Sequence, residues 1–497
     1  MMYGPEKSDP AVVAVKPANK AAPAAAERVE PRAGTKGSAG PPHTQRTQSR
    51  ASVSQGLDRV RHVAKQRKKE QFTALLHHVT VDLLRDAFMA LKRRAAPGVD
   101  GVKWLDYEAA LEGNLQDLHT RVQRGTYRAL PVKRRFISKQ DGTPRPLGIT
   151  AIEDKIVQRA VVMVLGAIYE GDFVGFSYGF RPGRSQHDAL DALSVGIGLA
   201  RVNWILDADI RSYFDKIDQT WLIRMLEHRV GDERVIRLVR KWLKAGVLDE
   251  GELKVSDTGT PQGAVISPLL ANVFLHYAFD LWAEQWRRRE VKGHMIVVRY
   301  ADDIVVGFEL ETEARRFWDA MRERLQQFAL ELHGEKTRLL EFGRFAAQRR
   351  QRRGQGKPET FAFLGFVFIC GKARRGGFQL QRKTRADRMR ARLQEIKTNL
   401  RERMHNAIPE QGRWLKAVVT GYFAYHAVPT NGRALGAFRH HVINLWRRTL
   451  KRRSQKDKMT YERMDAIAAA WIPTPRILHP WPNQRFAVKH PRWEPSA

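Results

Sequence analysis

The chain has 497 residues, 87 of them Lys or Arg against 53 Asp or Glu, for a formal net charge of +34. That excess requires a polyanionic partner, while 43% hydrophobic residues are enough for about three compact units and exclude a wholly disordered basic tail. The single cysteine, Cys370, excludes an internal disulfide framework and any zinc site built from several thiolates.

No stretch approaches the roughly 18 consecutive apolar residues that span a bilayer, and the first residues lack a secretory apolar region. The expectation is a protein of a reducing compartment, neither exported nor inserted in a membrane. Its charge is spread along the chain and interleaved with Trp, Tyr and Phe, which favours nucleic acid over an anionic lipid surface.

In chain order, residues 1–53 are rich in Ala, Pro, Gly, Ser and Lys without apolar periodicity, and are expected to form a disordered basic tail. From Ser54 the spacing of Leu57, Val60, Val63 and Ala64 beside Arg59, Arg61, Lys65, Arg67, Lys68 and Lys69 predicts a basic amphipathic helix. Thr80 is placed to cap a helix over 81–91, which ends before the turn Ala96-Pro97-Gly98-Val99-Asp100-Gly101.

Short β-favouring segments follow at 135–138 and 148–150, then a long helix over 152–168. Further β-rich segments lie at 204–206, 295–299 and 304–308, and Ser267-Pro268 reads as a helix start. Mixed in this order, the elements predict an α+β fold. Residues 349–353 read as an exposed basic loop. From about Arg382 the chain turns helical, with about 20 basic against about 5 acidic residues up to Lys458. Repeated prolines predict an irregular extension over 471–497.

In so basic a chain, carboxylates flanked by apolar runs stand out. The string Val297-Val298-Arg299-Tyr300-Ala301-Asp302-Asp303-Ile304-Val305-Val306 reads as two apolar strands around an acidic turn. A second apolar strand delivers carboxylates in Trp204-Ile205-Leu206-Asp207-Ala208-Asp209-Ile210-Arg211-Ser212-Tyr213-Phe214-Asp215. Paired carboxylates from different strands suit nucleotidyl transfer, which uses two Mg²⁺ ions about 4 Å apart.

Tyr300-Ala301-Asp302-Asp303, with Asp209 and Phe214, resembles the palm of a reverse transcriptase, and the surrounding segments resemble the bacterial group II intron-encoded reverse transcriptase and maturase family. The likeness runs from about Gln55 to the C terminus. It implies a right-hand polymerase: an N-terminal extension and fingers over 54–200, a palm over 201–375 and a helical thumb or maturase domain over 382–470.

The resemblance also implies roles for individual residues. Asp209, Asp302 and Asp303 would hold two Mg²⁺, with Asp207 on the opposite strand face from Asp209. Lys139, in Ile137-Ser138-Lys139, and Arg145, in Gly142-Thr143-Pro144-Arg145-Pro146-Leu147-Gly148-Ile149, would grip the triphosphate. Phe214 would exclude a ribose 2′-hydroxyl. Gln262, in Gly259-Thr260-Pro261-Gln262-Gly263, would pack on the incoming nucleotide.

Arg181 and Arg184, in Phe176-Ser177-Tyr178-Gly179-Phe180-Arg181-Pro182-Gly183-Arg184-Ser185, would contact template. Lys336, in Gly334-Glu335-Lys336-Thr337, would contact nucleic acid, as would Arg447 and Arg448 in the thumb. Phe361-Ala362-Phe363-Leu364-Gly365-Phe366 resembles the primer-grip strand.

The function this implies is RNA-directed DNA polymerisation with help to intron splicing and mobility. The implied partners are an RNA template, its own intron RNA, a DNA primer or target, and dNTPs. The implied location is the bacterial cytoplasm, working at the nucleoid. Unlike relatives with a nuclease of the histidine-asparagine type, this chain has a single cysteine and about 40 residues beyond Ser454, so no such nuclease is expected. The competing readings are a non-catalytic RNA-binding splicing factor and a domesticated or defence-linked reverse transcriptase.

Overall fold

The computed structural model describes residues 43–138, 144–249, 252–453 and 459–489. Among the described residues eleven strands carry the β structure: β1 Val132–Ser138, β2 Pro144–Ile149, β3 Trp204–Asp209, β4 Val247–Asp249, β5 Glu252–Lys254, β6 Met295–Tyr300, β7 Asp303–Phe308, β8 Arg338–Glu341, β9 Phe361–Phe363, β10 Phe366–Lys372 and β11 Phe378–Thr384. Helices fill most of the remainder, so the mixed α+β class expected from the sequence is the one observed.

The sheet that matters most has the order β6-β7-β3-β8, antiparallel throughout. Its strands are apolar on both sides because both faces are covered. On one face Leu206, Ala208, Val297, Ile304, Val306 and Phe308 enter the largest core, which they share with the helices Ile152–Asp172, Ser267–Leu275 and Glu311–Gln326. On the other face Ile205, Ile296, Val298, Val305 and Leu340 pack with the helix Gln186–Leu199 and with Phe361, Phe363, Phe366 and Phe368.

A second sheet has the order β2-β1-β4-β5, with β1 and β2 antiparallel and Arg135 opposite Leu147. The third has the order β11-β10-β9. Beyond it the helices Ala386–Glu402, Ile408–His426, Gly432–Lys451 and Tyr461–Trp471 close around their own core, which includes Leu415, Val419, Phe438 and Leu450. Trp446 is buried there, and its indole N–H donates to Gln411 Oε1 at 2.7 Å, so the one polar atom of a large apolar ring is satisfied.

Several local expectations hold. Thr80 caps the helix Val81–Met89 by accepting from the Leu83 N–H, and Pro268 sits in the first turn of Ser267–Leu275. Others are corrected. The first helix is His43–Gln66, so it begins before Ser54 and takes in part of the segment expected to be disordered; residues 1–42 lie outside the described residues. The basic run at 349–353 belongs to the helix Ala346–Arg352 and the residue after it, and is not a loop.

Two further segments differ from expectation. The stretch read as one primer-grip strand is a hairpin, β9 and β10 joined by Leu364 and Gly365 at φ 46° and 81°. The glycine accepts that left-handed geometry without a Cβ penalty. Near the C terminus, Pro482–Lys489 is a helix, docked against Gln186–Leu199 with Phe486 buried. No described helix is long and apolar enough to cross a membrane.

Candidate active site

The carboxylates gather where the apolar rows of the central sheet run out. Asp209, the last residue of β3, stands opposite Asp303, the first of β7, and Asp302 lies in the turn between β6 and β7. Residues two apart in a strand share a face, so Asp207 and Asp209 continue the row of Ile205, and Asp303 that of Val305. This corrects the expected placement of Asp207 on the opposite face: both aspartates lie on the same side.

Two cations sit among them. Lys336 Nζ is 2.9 Å from Asp209 Oδ2, and Arg338 Nη2 is 3.9 Å from Asp207 Oδ2. Packing around Asp207 pushes its carboxyl up to about 6, with Arg338 opposing and Asp209 adding to the rise. Asp303 is pushed up to about 7, first by desolvation in the cleft and then by the charges of Asp302, Asp209 and Asp207. Solvent reaches Asp303 at the turn, which tempers the desolvation. The charge repulsion is the part that a bound cation would cancel.

The turn is held from below by Arg299. Its guanidinium donates to Asp280 Oδ1 at 2.6 Å and Oδ2 at 2.5 Å, to Asn272 Oδ1 at 3.1 Å, to Ser177 Oγ at 2.7 Å and to the Ala301 carbonyl at 3.0 Å. Asn272 in turn donates to the Gly179 carbonyl at 2.7 Å. One buried side chain thus ties the helical region around Asn272 and Asp280, the segment around Ser177 and the acidic turn to each other. Ala301 has φ 55°, a conformation that alanine adopts only when its surroundings impose it.

On the β3 side, Phe214 is half-buried and its carbonyl accepts from the Thr260 N–H at 2.8 Å. Gln262 Nε2 lies 3.3 Å and 3.4 Å from the two carboxylate oxygens of Asp215. The Gln262 carbonyl accepts from the Gly148 N–H at 2.5 Å, and a Cβ on Gly263, at φ 108°, would lie 2.4 Å from the Gly148 carbonyl oxygen. Only glycine permits this approach, and it joins β2 to the Gln262 turn. Arg145 lies on β2 opposite Ile137. Lys139 lies outside the described residues.

The structure reassigns several residues. Arg181 is fully buried, paired with Glu170 at 2.6 Å and bonded to the carbonyls of Val174 and Ser177, so it braces its segment and does not face template. Arg184 is bonded to the carbonyls of Gly175 and Ser177 over the Tyr178 ring, which serves the same end. Lys336, expected at nucleic acid, stands at the Asp209 carboxylate. Arg448 is exposed beside a groove of about 910 Å³ lined also by Arg390, Lys397, His440 and His441, while Arg447 stacks on Tyr461 at 3.7 Å.

Sequence reasoning missed Arg299, Asp280 and Asn272. Their signal was a lone Asp280 and a lone Arg299 inside apolar runs, each of which must find a partner when buried.

Among the described residues no three His, Cys, Asp or Glu side chains converge as ligands for one metal ion, and Asp209 is turned to Lys336. The donor set still fits a hard divalent cation. It offers carboxylate oxygens alone, in mutual repulsion, on a solvent-reached turn.

A family model described as reverse transcriptase (RNA-dependent DNA polymerase) matches residues 137–368. Among curated proteins the chain is similar to Protein YkfC of Escherichia coli (strain K12), 36% identical in an alignment 260 residues long that covers 46% of this chain and 68% of that protein. It is similar also to the group II intron-encoded protein LtrA of Lactococcus lactis subsp. cremoris, 35% identical over 222 residues, which are 44% of this chain and 37% of that one. A third similarity, to nuclear intron maturase 2, mitochondrial, of Arabidopsis thaliana, is 32% identity over 109 residues, 21% of this chain and 15% of that protein. The chain belongs to the reverse transcriptase family, and the activity of that family is RNA-directed DNA polymerisation.

Proposed function

We propose that this protein copies RNA into DNA by nucleotidyl transfer at Asp209, Asp302 and Asp303, in a right-hand polymerase with fingers over 54–200, a palm over 201–375 and a thumb over 382–470. The observation that carries the reading is the pairing of Asp209 with Asp303 at the mouth of the central sheet, with Asp302 in the adjoining turn. These three carboxylates would hold two Mg²⁺ ions, which would supply charge neutralisation and make the primer 3′-hydroxyl more acidic. That hydroxyl attacks the α-phosphate of a dNTP, the bond to the β-phosphate breaks and pyrophosphate leaves.

The chain's own residues do the rest. Lys336, which pairs with Asp209, would give way to a cation bound there. Phe214 and Gln262 bound the sugar and base of the nucleotide, and Lys139 with Arg145 neutralise its triphosphate. Arg447, Arg448 and the groove beside Arg448 hold nucleic acid by its phosphates. The template we assign is the protein's own intron RNA, the primer is target DNA, and the same RNA-binding surface assists splicing. This work belongs in the bacterial cytoplasm.

Extension of a DNA primer on an RNA template decides the reading. Mg²⁺-dependent incorporation of dNTP, poor use of rNTP and loss of both in Asp302→Ala are expected. A folded wild-type protein that binds RNA and extends nothing would move the reading to a non-catalytic splicing factor.

A further inference from the structure

We propose that Gln158 is a positioning residue for the incoming nucleotide: its buried amide fixes the turn that carries Gln262, and so sets where the dNTP is held. The inference rests on the polymerase reading above and adds to it a buried residue that was not among those expected. Gln158 lies on the helix Ile152–Asp172, in the run Ile156-Val157-Gln158-Arg159-Ala160-Val161, and is 2% exposed. A buried amide in such a run must find polar partners.

Its partners lie in the turn. Gln158 Oε1 accepts from the Val265 N–H at 3.0 Å and from the Ile266 N–H at 3.4 Å. Both N–H groups precede the helix Ser267–Leu275 and fall outside that helix's own ladder, so they need an acceptor from elsewhere. The turn itself is one piece: the Pro261 carbonyl accepts from the Ala264 N–H at 3.1 Å and from Ser267 Oγ at 2.9 Å. What holds Val265 and Ile266 therefore also holds Gln262.

Other bonds tie the turn to its neighbours in the cleft. The Gly148 N–H of β2 donates to the Gln262 carbonyl, the Thr260 N–H donates to the Phe214 carbonyl, and the Gln262 amide reaches Asp215. Ahead of the turn, Gln219, buried on the helix Gln219–Glu227, donates to the carbonyls of Ser256 and Gly259, both at 3.1 Å. Gln158 adds the helix that shares the largest core with the central sheet, and so with the strands that end in Asp209 and start at Asp303. It thereby ties the place of Gln262 to the place of the carboxylates. Without its oxygen, two N–H groups at the edge of the core lose their acceptor, and the turn must shift to find another. A nucleotide resting on Gln262 would shift with it or lose the contact.

The test uses the full-length protein and single-nucleotide incorporation on a primer–template, with the KM for dNTP and the KM for primer–template measured separately. Gln158→Met keeps the length of the side chain and removes its acceptor. Gln158→Asn keeps the amide and draws its oxygen back by one methylene, so it tests placement even where the methionine variant does not fold. In both, the KM for dNTP should rise about 5- to 100-fold, up to the loss that a misplacement of about 1 Å can cause. The KM for primer–template should stay within about twofold of wild type, because that contact does not run through Gln262. In a Gln262→Ala background, where the positioned contact is already gone, Gln158→Asn should change the KM for dNTP by less than about twofold.

A purely structural role reads otherwise: partial unfolding lowers the concentration of active sites, hence the apparent kcat, and leaves both KM values where they were. An unchanged KM for dNTP in Gln158→Asn would overturn the proposal. So would an equal rise in both KM values, or a rise that is undiminished in Gln262→Ala. Failure of the polymerase reading looks different: wild type itself would incorporate no dNTP, and the proposal, which needs a nucleotide at Gln262, would fall with it.

Discussion

The guanidinium of Arg299 meets the carboxylate of Asp280 in two hydrogen bonds with both side chains wholly excluded from solvent, directly beneath the acidic turn. Breaking a buried pair by removing one partner leaves the other charge uncompensated. Asp280→Ala is therefore expected to cost about 3–5 kcal/mol of unfolding free energy, read from urea midpoints. Because the same Arg299 donates to the Ala301 carbonyl, primer extension by Asp280→Ala should fall even at temperatures where the variant remains folded.

Lys336 bears on the site differently, since its ammonium stands at the Asp209 oxygen that the proposed metal would take. The pair is partly exposed, with the lysine side chain at 62%, and such pairs contribute about 0.2–1 kcal/mol. Lys336→Met should then tighten Mn²⁺ binding to the nucleotide-free protein by about 1.5- to 5-fold, as titrated by electron spin resonance. Weaker binding in the variant would mean that the lysine helps to assemble the site and does not compete for it.

The parts of this site that were legible in the sequence are those set by local pattern. The apolar runs that end at Asp209 and begin after Asp303 can be read as strands, and the hairpin signal around Asp302 joins β6 to β7. The pairing of β3 with β7, which brings Asp209 opposite Asp303, is long-range and not given by local pattern. What the pattern could not give was tertiary partnership. Arg181 has the composition of a template contact, yet Glu170, eleven residues earlier, takes it inside. Lys336 is drawn to Asp209 from 127 residues away. The face shared by Asp207 and Asp209, by contrast, follows from the two-residue period of their own strand and needs no tertiary partner. The helix Pro482–Lys489 was hidden by its flanking prolines, although proline at a first helical position is a start signal.

Acid should destabilise the fold through its buried histidines. Burial, then the nearby cations Arg299 and Arg181, lower His276 to about 3. Burial, then His479, Arg485 and Arg382, lower His187 to about 3. Both are neutral in the fold and regain the ordinary value near 6.5 when unfolded. Stability is full above about pH 6.5 and is lost as pH falls from there toward 3, by up to about 1.4 kcal/mol per pH unit for each histidine. His276→Phe should flatten the pH dependence of the urea midpoint between pH 6 and 4, to the extent that His276 carries it.

Phe214 sets a test of sugar selection. Its half-buried ring is fixed by the bond from Thr260 to its own carbonyl and by an edge contact with Tyr213 at 5.4 Å. Shortening it to valine should keep the main-chain bond from Thr260 while removing the ring's edge from Tyr213 and opening the space where a 2′-hydroxyl would sit. The rNTP-to-dNTP ratio of kcat/KM is expected to rise by about 10- to 100-fold in Phe214→Val, the scale on which apolar walls discriminate one small group.

The last prediction concerns how the C-terminal helix is held. Asp191, buried on the helix Gln186–Leu199, is paired with Arg382 of β11 at 2.9 Å and also with Arg485 of the helix Pro482–Lys489. Two cations share one carboxylate, but they are not equivalent: the Arg382 side chain is 3% exposed and that of Arg485 17%. Asp191→Ala strands a buried guanidinium and should cost about 3–5 kcal/mol. Arg485→Ala leaves Asp191 its inner partner, so its cost should be smaller, confined to release of residues 482–489 and visible as faster amide hydrogen exchange there. In Asp191→Ala the further change Arg485→Ala should cost little, since the partner is already gone. Full additivity in that double-mutant cycle would show that Phe486, buried in the core beneath, and not the charge pair, holds the helix down.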